Sequence, residues 1–229
     1  MFSEQTIDFL MENRFHNDRE WFHEHRADYL RLVHEPLVKL VEALAPAISA
    51  VDPEIITEPR TDKTISRIYR DTRFSKDKSL YRAEMWLSFK RDRKAFPCYP
   101  EFYFDMSPEG WGMGCGYYVM SNDALTEARR RMLAGDEGFA AMQRVLRDNP
   151  GYVLGGERYR RSKFPDQPEE MREWLDRKSY HVFMHSDDFS TLYSPDLGEK
   201  LAAEVPKFAP VYRFFLDVEL KLLAEKYRQ

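Results

Sequence analysis

The chain has 229 residues, 35 Lys+Arg against 39 Asp+Glu, and a formal net charge of −4. Hydrophobic residues make up 43% and aromatics 14%, which excludes a disordered chain and supplies a core without disulfide staples. No run approaches the roughly 20 apolar residues of a membrane helix, and residues 1–14 lack the basic and apolar regions of a signal peptide. The two cysteines, Cys98 and Cys115, have no metal spacing and suit a reducing compartment. The expectation is therefore a cytoplasmic protein with no membrane partner, no metal and no cofactor.

Residues 3–15 predict a short helix capped by Ser3, with Ile7, Phe9 and Leu10 as apolar contacts. A longer helix is expected from Asn17, which with Glu20 resembles a capping box. Pro36 should kink or divide that helix, and Pro46 and Pro53 should close the region. The period then changes to two. Residues 64–69, 84–90, 100–106 and 112–120 read as strands, and their short breaks suggest an antiparallel meander. Asn122 or Asp123 should cap a helix ending near Leu133, and another should run over 136–148. Residues 152–162 read as strand or loop, Glu169 to Arg177 as a short helix, and Lys178 to His185 as a strand. From about Pro195 the chain reads as helical, with Pro206 and Pro210 as breaks. Helices, then strands, then helices predict α+β, a mainly antiparallel sheet flanked by N-terminal and C-terminal helices in one domain, 1–229.

The charge is unevenly placed. Residues 60–94 carry +7, and the remainder carries −11. Within this stretch, Arg67 to Arg82 holds six cations but only two carboxylates, Asp71 and Asp77. It lies between two predicted strands, and connections held by a rigid sheet are where binding residues concentrate. Arginine offers a planar fork to carboxylate or phosphate, and lysine a mobile point charge. The segment lacks the glycines of a phosphate-cradling nucleotide loop.

Other patterns have two readings each. Gly110, Gly112, Gly114 and Gly116 strip one strand face, for a packed backbone or a ligand. Trp21-Phe22 reads as a core anchor or a stacking platform. His16, His23, His25 and His34 lack converging metal-ligand spacing. Ser75 beside Lys76 is a weak nucleophile pattern. Arg158, Arg160, Arg161 and Lys163 form a second cationic cluster.

The run from Arg67 to Lys78 followed by Tyr81, the run Asn17-Asp18-Arg19-Glu20-Trp21-Phe22 with Tyr29 and Pro36, and a third match at Arg161-Ser162-Lys163-Phe164, Pro168 and 175–178 together resemble the family catalogued as domain of unknown function 2461. The resemblance covers nearly the whole chain. This sequence departs from the pattern at Leu80, where a proline is usual, and at Ser162-Lys163-Phe164, which lacks a glycine. The resemblance implies a soluble single-domain protein of microbial type and no particular reaction.

Three functional readings follow. In the first, a small phosphate- or carboxylate-bearing ligand binds Arg67, Arg70, Arg73, Lys76 and Lys78, with Arg161 and Lys178 as a further wall. If the protein is an enzyme, Asp71 and Tyr81 are the nearest candidates for proton transfer. In the second, the cations and Tyr69, Phe74, Tyr81, Trp86 and Phe89 serve phosphates and stacked bases of a nucleic acid. The acidic remainder opposes that reading. In the third, the charges are paired internally, for example Arg67, Arg70 and Arg73 with Asp18 or Glu20, and lock the fold.

Overall fold

A computed structural model describes residues 1–73, 76–92, 98–117 and 119–228. Phe74, Ser75, residues 93–97 and Tyr118 lie outside the described residues, and with them the Ser75 nucleophile pattern.

Helix α1 (Glu4–His16) begins where expected, with the Ser3 amide donating to Thr6 Oγ1 at 3.0 Å. Asn17 does not open the next helix. It closes α1 in the left-handed region at φ 48°, a conformation asparagine tolerates better than most side chains, and its amide donates to the Asn13 carbonyl. Asp18 is the cap of α2 (Arg19–Glu24), its Oδ1 accepting the Glu20 and Trp21 amides at 2.9 Å each. Helix α3 (Arg26–Tyr29) runs into a π-helical segment (Leu30–His34) and then α4 (Glu35–Val51). Pro36 thus divides the helical run as expected. It sits in the first turn of α4, where a missing amide costs little. Pro46 does not end α4, because Leu40, Leu44 and Ile48 keep one face buried through it.

Five strands form one antiparallel sheet: β1 (Met85–Phe89), β2 (Glu101–Ser107), β3 (Gly110–Gly116), β4 (Val153–Gly155) and β5 (His181–Ser186), in the order β1-β2-β3-β5-β4. The described segment 64–69 forms isolated bridges and no named strand: Ile65 to Leu87 and Tyr69 to Tyr81, both antiparallel, and Ile65 to Thr61, parallel. Ser66 donates to the Trp86 carbonyl, and Arg82 donates to the Ile68 carbonyl, both at 2.9 Å. Between those bonds one side advances from 66 to 68 while the other advances from 82 to 86. The extra residues bulge out and interrupt the ladder.

Helix α5 (Asn122–Leu133) is capped by Ser121 rather than by Asn122 or Asp123. Helices α6 (Glu137–Asp148), α7 (Glu169–Leu175), α8 (Phe189–Leu192) and α9 (Leu197–Lys226) complete the fold. Pro206 and Pro210 do not break α9. Val205, Phe208, Val211, Tyr212 and Phe215 are fully buried along it, and that burial outweighs two lost backbone bonds. The fold is α+β with helices before and after the strands in the chain. No described helix is long and apolar enough to cross a membrane.

Packing divides the chain into two compact units. The first comprises 1–89, 103–113 and 185–206. Its core includes Leu10, Val33, Leu37, Leu87 and Phe104. Gly110 lies within it at φ 148°, where a Cβ would come 2.7 Å from the Ser186 carbonyl oxygen. The second comprises 90–102, 114–184 and 207–229. Its core includes Phe102, Cys115, Met142, Tyr180 and Phe215. There Gly116, at φ 152°, leaves no room for a Cβ against the Tyr180 carbonyl. At both ends of the glycine series, a neighbouring backbone occupies the space.

Candidate functional site

The basic segment sits at the end of the irregular ribbon in the first unit. Arg70 donates to the Leu80 carbonyl at 2.8 Å, and residues 71–79 connect the two sides. The foot of this connection is fixed from three directions. The Leu80 amide donates to Asn17 Oδ1 at 2.6 Å. Tyr81, only 1% exposed, stacks on Phe22 at 4.8 Å and meets Tyr69 at 5.1 Å. Asp77 Oδ1 accepts the Ser79 amide at 2.9 Å. Phe22 is therefore a buried anchor, as read from the sequence. Trp21 is half-buried and lies between the rings of His16 at 4.7 Å and His25 at 4.1 Å.

Arg73, Lys76 and Lys78 lie on this connection, and Arg67 and Arg70 on the side of the ribbon that leads into it. Three of them have carboxylate partners. Arg67 grips Asp62 through Nε and Nη2, the latter at 2.7 Å. Arg73 grips Asp71 the same way, at 2.9 and 2.7 Å. Arg70 Nη2 lies 3.2 Å from Asp77 Oδ2. None of these partners is the Asp18 or Glu20 that the sequence suggested. Asp18 is spent on capping α2, and neighbours two to seven residues away reach the guanidinium groups first.

The lysines differ from the arginines. Lys78 Nζ donates to the neutral Thr72 carbonyl at 2.7 Å. Lys76 is exposed and makes no hydrogen bond or ion pair among the described residues. Arg82, next along the chain, lies 4.6 Å over the Trp86 ring and 3.3 Å from Glu84, but its Nε is buried without an acceptor. The Tyr81 hydroxyl is likewise buried without a partner among the described residues. The segment therefore holds more donors than acceptors. Its existing ion pairs are largely water-exposed, a setting in which pairing contributes little net free energy and exchanges readily.

The two proton-transfer candidates titrate far from neutral. The Arg73 guanidinium holds the Asp71 carboxyl down at about 2. Burial first, and then the neighbouring Tyr69, push Tyr81 up to about 12. At neutral pH Asp71 is a weak base, and Tyr81 is a protonated donor. The Arg67 guanidinium lowers Asp62 as well.

Arg161 and Lys178 belong to the second unit. Arg161 is exposed. Lys178 ion-pairs with Glu157 and donates its backbone amide to the Glu157 carbonyl at 2.7 Å. Two contributors were missed from the sequence. Asn17 was read as a cap, although its place in the run 17–22 beside a second motif was a signal. Asp62 was counted only as charge, although it stands five residues from Arg67. Among the described residues, no group of three or more His, Cys, Asp or Glu side chains is placed to hold a metal ion.

A model of the family described as "Conserved hypothetical protein (DUF2461)" matches residues 5–214. No match to the chain was found among curated proteins.

Proposed function

The chain belongs to the DUF2461 family, and we propose that its 67–82 segment binds a small anionic ligand bearing phosphate or carboxylate. The surplus of donors in that segment carries this reading. Among the described residues, Lys76 and Lys78 have no carboxylate, and the Arg82 Nε and the Tyr81 hydroxyl are buried without acceptors. An incoming anion would meet the lysines first and then exchange with the exposed Arg67–Asp62 and Arg73–Asp71 pairs. Rigid anchoring by Asn17 and Tyr81 limits the entropy lost on binding. A cytoplasmic location is part of this proposal; among the described residues no helix is long and apolar enough to cross a membrane.

A thermal-shift screen against phosphorylated metabolites and nucleotides tests this. A ligand at about a hundredfold over its Kd should raise Tm by roughly 5–10 °C. The effect should vanish in a Lys76→Gln/Lys78→Gln variant that keeps its own Tm.

A second reading has its own support. The two bidentate arginine–aspartate forks favour a segment whose charges chiefly hold its own loop in shape. Under that reading no ligand shifts Tm, and Asp62→Asn or Asp71→Asn alters the loop alone.

A further inference from the structure

The second unit holds a cationic cluster in which the charges face rings and carbonyl oxygens more than carboxylates. Its centre is Tyr159, in the connection between β4 and α7. The Tyr159 amide donates to the Asp176 carbonyl at 2.8 Å, which fixes the backbone there. Lys163 Nζ lies 4.2 Å from the ring centroid, the Arg129 guanidinium 5.4 Å, and Lys178 Nζ 5.5 Å. Arg129 also lies 5.4 Å from the Phe164 ring, so one guanidinium ties both aromatic side chains to α5.

The charges are poorly compensated. Arg129 donates to two neutral acceptors, the Leu175 carbonyl at 2.9 Å and the Arg177 carbonyl at 2.8 Å. Lys163 has no carboxylate partner among the described residues. Its amide is held by Asp176 Oδ1 at 2.9 Å, and Asp176 is only 3% exposed. Lys178 is the one member of the three with a carboxylate, the exposed Glu157. Nearby, Arg158 and Arg177 share Glu173. The Arg129 guanidinium is fixed by backbone carbonyls, and the Lys163 main chain by Asp176, so the two lysines stay close to that fixed charge.

We propose that Lys163, Lys178 and the Tyr159 hydroxyl form an anion site for a phosphate-bearing small molecule, with Arg129 as the positioning residue. The fork of Arg129 is occupied by two carbonyls, so bidentate capture of a carboxylate is not what the cluster offers. It offers two mobile ammonium groups and a phenol hydroxyl, which suit the several oxygens of a phosphate. Beside this geometry, Arg129 first and then Lys163 lower Tyr159 below the usual phenol range, in keeping with its cationic surroundings. The site uses only residues of the second unit.

The test is a titration of the full chain carrying ¹³Cζ-labelled tyrosine, with inorganic pyrophosphate as the probe at constant ionic strength. The Tyr159 resonance is identified by its loss in Tyr159→Phe. The expected result is a saturable shift of that resonance, weakened roughly tenfold or more in Lys163→Gln/Lys178→Gln. The shift should be unchanged in Lys76→Gln/Lys78→Gln, which separates this site from the loop of the first unit. Lys163 is exposed and Lys178 partly so, and glutamine removes the charge while keeping most of the aliphatic stem, so the dispersion of the remaining tyrosine resonances reports an intact fold. No saturable shift in the wild type overturns the proposal, as does a shift that chloride reproduces or that Lys163→Gln/Lys178→Gln leaves unreduced.

Discussion

The side-chain carbonyl of Asn17 accepts the backbone amide of Leu80 at 2.6 Å, across 63 residues of sequence. This bond joins the end of α1 to the foot of the basic connection, and it joins two of the stretches that carry the family resemblance. Asn17 does two jobs there, since it also occupies the left-handed region. The two jobs separate by mutation. Asn17→Gly keeps the backbone but leaves the Leu80 amide unpaired, and is expected to cost about 1–2 kcal/mol in urea unfolding. Asn17→Ala adds backbone strain and should cost about 1 kcal/mol more. Equal costs for the two would remove the backbone from the account.

Tyr81 gives a prediction of opposite sign. Its buried hydroxyl has no partner among the described residues, so Tyr81→Phe removes a desolvated polar group and should leave stability equal or raise it by up to about 1 kcal/mol. The effect should also depend on pH. The folded value, about 12, lies above the ordinary 10. The group's contribution is thus fully present below pH 10 and is lost as pH rises through 12. Part of the alkaline loss of stability should disappear in Tyr81→Phe, measured by urea midpoints between pH 9 and pH 12 as a flatter profile.

In the second unit, Glu127 ties α5 to α9. Arg130 holds it by two bonds of 2.8 Å, and Lys221 by another of 2.8 Å. The Arg130 contact first, and then Lys221, hold the Glu127 carboxyl down at about 2. A folded value below the unfolded one gives stability that is present above the ordinary glutamate range and lost as pH falls toward 2. Glu127→Gln should cost about 1–3 kcal/mol at pH 7 and flatten the acid limb of the stability profile between pH 4.5 and pH 2.

How far the sequence could be read follows from these particulars. Helices α1, α5 and α6 were legible because their apolar spacing is local, although the cap of α5 lay one residue earlier than expected. Strands β1, β2 and β3 were legible for the same reason. Pro46, Pro206 and Pro210 were misread because their cost is local while the burial that outweighs it comes from the rest of each unit. The bulge between Ser66 and Arg82 was hidden because alternation reports facing, not register. At the candidate site the cations were visible, but their partners were not. Asp62 and Asp77 are close in sequence, yet only the turn of the loop decides which guanidinium each meets. Tyr159 had no signal of its own, because its neighbours Arg129 and Lys178 are brought to it by α5 and by the chain after α7.

The central claim is that the 67–82 segment binds an anion through Lys76 and Lys78. The direct measurement is titration calorimetry of the best hit from the phosphorylated-ligand screen, against wild type and Lys76→Gln/Lys78→Gln, at two salt concentrations. The account predicts saturable binding to the wild type that weakens with salt, and at least tenfold weaker binding to a variant of unchanged Tm. Equal affinity for both proteins, or no binding to either, would contradict it.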